Sequence, residues 1–113
     1  MGEDLCAVRL TRRFAAAPAE VWAALTESDS LRRWLGEGEW ARLGAQERES
    51  EPERLLVLDW RPAGENASLV RLELTPDGDG TILVLDHSVI DEVLGMAYVQ
   101  RWTESLDRLE RLR

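Results

Sequence analysis

The chain changes its hydropathic period twice. Residues 6–14 alternate, with Val8, Leu10 and Phe14 in one phase and Arg9, Thr11 and Arg13 in the other, which predicts a first strand. Pro18 stands where a first helical turn accepts it, and Glu20 follows where the helix dipole favours an acid. Val21, Trp22 and Leu25 supply the apolar side of a short helix. Ser28 or Asp29 caps a second short helix that carries Leu31, Trp34 and Leu35, with Gly36 to end it.

Residues 37–53 carry a weaker pattern. Residues 40–43 read as a short strand, Gly44 as a turn and residues 46–51 as a polar edge strand. Glu47, Glu49, Glu51 and Glu53 alternate with Arg48, Ser50 and Pro52. Such a ridge is either a cation site or a solvated sheet edge. We prefer the second, because charge on an edge strand discourages edge-to-edge aggregation.

The second half is clearer. Residues 54–61 place Leu56, Leu58 and Trp60 in one phase, and residues 67–75 set Val70, Leu72 and Leu74 against Arg71 and Glu73. Pro76-Asp77-Gly78-Asp79-Gly80 is dense in turn residues, so residues 81–90 should return as the second arm of a hairpin. From about Asp91 or Gly95 the period becomes helical. Val99, Trp102, Leu106 and Leu109 then mark one face, with Glu104–Arg108 and Asp107–Arg111 as well-oriented i,i+4 pairs. One strand, two short helices, several antiparallel strands and a long amphipathic helix predict an α+β domain. A curved antiparallel sheet presents one apolar face, and the terminal helix covers it.

Composition narrows the partners. The chain has 113 residues, which suits one domain over residues 1–113. Its formal net charge of −8 is spread over both halves, so neither phosphate-directed nucleic-acid binding nor an anionic membrane surface is favoured. The single cysteine, Cys6, can form neither an internal disulfide nor a cysteine-based zinc site. The acidic start lacks the charged and apolar regions of a signal peptide, and no apolar run is long enough to span a bilayer. A soluble cytoplasmic protein without metal or cofactor is the expectation.

The stretch from Arg13 to Thr26 (RFAAAPAEVWAALT), followed by Leu31-Arg32-Arg33-Trp34-Leu35, resembles the opening of the START-like, helix-grip (SRPBCC) superfamily. Pro52-Glu53-Arg54-Leu55 leading to Trp60, the strand from Gly80-Thr81 to His87-Ser88, and Trp102-x3-Leu106-x2-Leu109 resemble one branch of it. That branch is the activator of heat-shock-protein ATPase homologue-like proteins. Its members usually place a glycine-rich strand pair where this chain has only residues 37–51, so the resemblance is to a shortened form with a smaller sheet. It implies a groove between sheet and terminal helix that holds an apolar ligand in carriers or a reactive polyketide in cyclases. Fold alone does not choose between them.

Candidate chemistry is sparse. His87, the only histidine, shares the phase of Leu83 and Leu85 and therefore points inward. It is a general acid/base or ligand-orienting group on one reading, and a hydrogen-bonded structural residue on the preferred one. No serine–acid arrangement accompanies it, so no triad is supported. Tyr98, about one turn before Trp102, would place a hydroxyl at the cavity mouth. Trp22, Trp34, Trp60 and Trp102 are either aromatic pocket walls or plain core. Residues 75–86 imitate a calcium loop, but Thr75 stands at its first position, Asp86 at its last, and strands flank it; a hairpin explains the same residues. Asp59, Arg61, Arg71 and Glu73 read as a solvent face that pairs across strands.

Three functions follow in order. The first is binding of a hydrophobic small molecule in a groove lined by Trp22, Leu56, Leu58, Trp60, Leu72, Leu83, Leu85, His87, Val99 and Trp102. The second is a protein-interaction or co-chaperone-like module with a filled core. It would be homodimeric through an exposed patch of Leu55, Val57, Leu69, Ile82 and Val84, which occupy the phase opposite to the helix. The third is a cyclase-type enzyme using His87 and Tyr98.

Overall fold

A computed structural model describes residues 4–27, 30, 33–34, 46–61 and 67–111. Its frame is a single antiparallel sheet of β1 (Leu5–Phe14), β2 (Gln46–Glu51), β3 (Leu55–Trp60), β4 (Ser68–Asp77) and β5 (Gly80–Asp91), in the spatial order β1-β5-β4-β3-β2. Helix α1 (Pro18–Thr26) follows β1, and helix α2 (Gly95–Arg111) ends the fold after a 3-10 turn at Glu92–Leu94. This is the expected α+β helix-grip arrangement. Ser30, Arg33 and Trp34 are helical; the rest of the expected second helix, and the strand expected at residues 40–43, lie outside the described residues. Among the described residues no helix is long and apolar enough to cross a membrane.

Each hairpin has a local cause. Asp77 pairs with Gly80, leaving a two-residue connection in which Gly78 takes φ +62°. A glycine with positive φ at the first central position suits the twist of a two-residue hairpin. A side chain at Gly80 would meet the Phe14 carbonyl at 2.6 Å, so β5 must start with glycine to lie against β1. The two aspartates of this turn serve Arg13: its Nε donates to Asp77 Oδ2 at 2.7 Å, and its Nη2 reaches Asp79 Oδ1 at 3.4 Å. Between β2 and β3, the Arg54 N–H donates to the Glu51 carbonyl, with Pro52 next and then Glu53 at φ 65°. This is the residue order of a type II turn, so the Pro52-Glu53-Arg54 motif is turn chemistry.

The inner face of the sheet carries Val8, Phe14, Leu56, Leu58, Trp60, Val70, Leu72, Leu74, Leu83 and Leu85, and these form one core with α1, Trp34 and α2. Among the described residues β2 is the polar edge, as its charge pattern predicts. On the outer face Arg9 pairs with Asp86, Arg48 with Asp59 across β2 and β3, and Arg71 with Glu73 along β4.

Three expectations need correction. The outer-phase residues do not form an open patch: Leu55 and Val57 are buried, while Leu69, Ile82 and Val84 are half-buried. Leu55 stands in register with Glu51 and Glu73, and Val57 with Glu49 and Arg71. Long charged side chains in that position shield apolar neighbours with their methylene stems. Secondly, Tyr98 is buried at 3% exposure, not at a mouth, and Val99 is only half-buried. The buried stripe of α2 is Tyr98, Trp102, Ser105, Leu106 and Leu109, so the helix is rotated by part of a turn from the expected face. Thirdly, Asp107 and Arg108 are engaged beyond their own helix. Asp107 accepts from Arg12 of β1 at 2.6 Å, and Arg108 Nε donates to the Trp34 carbonyl at 3.1 Å.

Candidate functional site

The polar chemistry of the interior gathers around His87, which β5 delivers to the inner face at 0% exposure. β5 is irregular immediately after it. Cys6 pairs with Ile90 but Val8 pairs with His87, so Ser88 and Val89 together oppose Ala7. This is a β-bulge, and Val89 pays for it with φ 61°, a left-handed conformation that a β-branched residue rarely adopts. The bulge reverses the phase of the strand end. Ile90 joins the core beside His87, and Val89 turns outward to 49% exposure.

Both imidazole nitrogens are engaged. Trp102 Nε1 donates to His87 Nδ1 at 3.0 Å, and His87 Nε2 lies 2.7 Å from Ser68 Oγ. An indole nitrogen only donates, so Nδ1 must carry the lone pair and Nε2 the proton. His87 therefore donates through Nε2 to Ser68 Oγ, whose own hydroxyl donates to the Trp60 carbonyl at 3.2 Å. Trp60 Nε1 in turn donates to Tyr98 Oη at 3.2 Å. Burial, reinforced by the nearby charge of Arg101, lowers the His87 pKa to about 4, so the ring is neutral near pH 7.

Aromatic rings enclose this network. His87 meets Tyr98 edge-on with centroids 4.4 Å apart, and the Trp60 and Trp102 centroids lie 5.1 Å apart. Trp34 adds a tilted contact to Trp102 at 6.3 Å. Tilted and edge-on pairs of this kind add about 0.5–1.5 kcal/mol each beyond their buried area. Among the described residues every buried side-chain nitrogen and oxygen has a partner.

The structure brings the residues expected to line a groove into one cluster. Leu56, Leu58, Trp60, Leu72, Leu83, Leu85, His87 and Trp102 are buried in it, and Trp22 and Val99 are half-buried against it. They touch one another. Ser68 was absent from the expectation, and Trp34 stood among the four candidate tryptophans but not in the expected groove. Ser68 joins because it stands in register with Trp60 at the loop end of the β3–β4 hairpin, and a lone serine at a strand start carries no periodic signal. The tautomer also bears on Ser68 as a nucleophile: a base for its hydroxyl would need a lone pair on Nε2, which here holds the proton. Among the described residues no three His, Cys, Asp or Glu side chains come together as metal ligands would.

Comparisons with known proteins agree with this fold. The chain resembles MLL2253 from Mesorhizobium loti at 22% identity and TM-score 0.81, covering 95% of this chain and 96% of that one. The solution structure of CalU16 from Micromonospora echinospora is similar at 26% identity and TM-score 0.80, over 97% of this chain and 74% of that one. DynU16, from the dynemicin biosynthetic locus, matches at 22% identity and TM-score 0.80 over 93% of this chain, which spans only 46% of that protein. No curated protein matches. The family model for activator of Hsp90 ATPase homolog 1-like protein matches residues 15–113, which include α1, the β3–β5 hairpins and the α2 stripe, and the chain belongs to that family.

Proposed function

We propose that this domain binds a hydrophobic small molecule between the sheet and α2, at the aromatic cluster around His87. The observation that carries the reading is the chemistry of the cluster. Aliphatic side chains alone can fill a core of this size. Here a serine, a histidine, a tyrosine and two tryptophans hold directed hydrogen bonds inside an apolar shell. Ligand sites are of this composition: mostly apolar and aromatic walls with a few placed polar groups. In the chain alone the walls rest on each other, so binding must displace wall side chains such as Trp34 and leave the Trp102–His87 pair in place. We place the protein in the cytoplasm.

A second reading has its own support. Trp60, Trp102, Leu58, Leu72, Leu83 and Leu85 are at most 1% exposed, which suits a filled core and a surface that does the work, whether as a homodimer through the half-buried part of the expected patch (Leu69, Ile82 and Val84) or as a co-chaperone-like module. A cyclase-type enzyme fits less well, because both His87 nitrogens and the Tyr98 oxygen are already committed to partners.

Native mass spectrometry of gently purified protein, before and after exposure to a lipid and metabolite extract, separates the readings. A stoichiometric small-molecule adduct is expected. Bare chain mass under both conditions would overturn the binding reading, and a bare dimer would favour the interaction module.

A further inference from the structure

We infer that the interior selects ligands by a hydrogen-bond acceptor, typically the carbonyl oxygen of an aromatic ketone, which replaces Ser68 Oγ on His87 Nε2–H. This rests on the ligand-binding reading above and deepens it.

The argument is geometric. His87 has two faces of unequal access. The Nδ1 side is sealed by Trp102, which is itself buried, and the indole can only donate. The Nε2 side ends on Ser68, the half-buried member of the network, at the start of β4 where Trp60 ends β3. A ligand that enters the cluster therefore meets His87 through Nε2. Trp102 determines what it meets there. With Nδ1 held as an acceptor, a neutral ring must present Nε2–H, a donor. Trp102 is thus a positioning residue: it contacts the imidazole from behind and sets the polarity of the opposite atom. Ser68 can be displaced because its hydroxyl keeps the Trp60 carbonyl as a partner. A ligand whose polar atom is a donor would face Nε2–H donor to donor and leave both unsatisfied, which is the strongest form of polar discrimination. Trp60 and Tyr98 meet the His87 ring edge-on, so the wall around it is aromatic and suits a flat aromatic body.

Three tricyclic probes of one shape separate the possibilities by calorimetric titration: 9-fluorenone offers an acceptor, fluorene offers neither, and carbazole offers a donor. The expected order in the unmodified protein is fluorenone several-fold tighter than fluorene, with carbazole weakest. Ser68→Ala removes the competitor for Nε2–H and should widen the fluorenone-to-fluorene ratio to about tenfold, the worth of one hydrogen bond. Trp102→Phe releases the tautomer and should bring fluorenone and carbazole towards equal affinity. Where that variant does not fold, the ring nitrogen shifts of His87 in the unmodified protein give the same information. A proton on Nε2 supports the inference, and a proton on Nδ1 overturns it. Equal affinities for all three probes would overturn acceptor selection and leave the binding reading standing. Absence of saturable binding by any of them would overturn both.

Discussion

Trp102 Nε1 donates to His87 Nδ1 across 3.0 Å, and that one bond joins α2 to the centre of the sheet while assigning the imidazole proton to Nε2. The helix that grips the sheet and the chemistry beneath it are thereby coupled. Any movement of α2 that opens the interior must break or turn this bond.

His87 makes stability depend on pH with a definite sign. Its folded pKa, about 4, lies below the ordinary histidine value of 6.5, so the unfolded chain takes up the proton first. The contribution of neutral His87 is therefore complete above pH 6.5 and is lost as pH falls from there towards 4. The full span is on the order of 3 kcal/mol. Urea midpoints at pH 7 and pH 5 should differ for the unmodified protein and differ much less for His87→Gln, whose amide replaces donor and acceptor without titrating. Equal differences in the two proteins would remove His87 as the cause.

Tyr98→Phe should destabilise the fold by about 1–3 kcal/mol, because Trp60 Nε1–H would lose its buried acceptor. Val99→Ala, at the half-buried flank, should cost less. Chemical denaturation of both variants checks the rotation of α2. A neutral Tyr98→Phe beside a costly Val99→Ala would place the helix face where the sequence pattern first puts it.

Val89 holds a left-handed conformation at the bulge while half its surface is exposed. Relief of that strain is worth about 1–2 kcal/mol, part of which glycine returns as unfolded-state entropy. Val89→Gly and Val89→Asn should both raise the thermal midpoint, and Val89→Ala should not. A lower midpoint for Gly and Asn would mean that the bulge is not where the strain resides.

The contact of Arg12 with Asp107 and Glu110 fastens the C-terminal half of α2 to the edge strand β1. A double-mutant cycle with Arg12→Ala and Asp107→Ala should give a coupling of about 0.5–1 kcal/mol that shrinks at high salt, since Asp107 is half exposed. A coupling of zero at low salt would remove this latch from the account.

Much of this architecture is legible in the sequence. The alternation through Leu83 and Leu85 places His87 inside, the turn residues around Gly78 announce the hairpin, and the late helical stripe identifies the gripping helix. What escapes the pattern depends on register and rotation. The bulge carries no glycine, so Val89 reads as an ordinary strand residue. The partners of His87 come from β4 and α2, and a one-residue slip or a part-turn of the helix would exchange Ser68 and Trp102 for others. Tyr98 lies on the buried stripe and Val99 at its edge, where hydropathy alone favours valine. Leu55 and Val57 look exposed until the stems of neighbouring charged side chains are counted.

The central claim is that the His87 cluster is a binding site, and its most direct test is a two-dimensional nitrogen–proton spectrum of the tryptophan indoles. The account predicts that adding a lipid and metabolite extract shifts the Trp60 and Trp102 indole signals, the two that donate to Tyr98 and His87. Unchanged indole signals, with shifts confined to outer-face residues such as Leu69, Ile82 and Val84, would contradict it and move the working surface to the other side of the sheet.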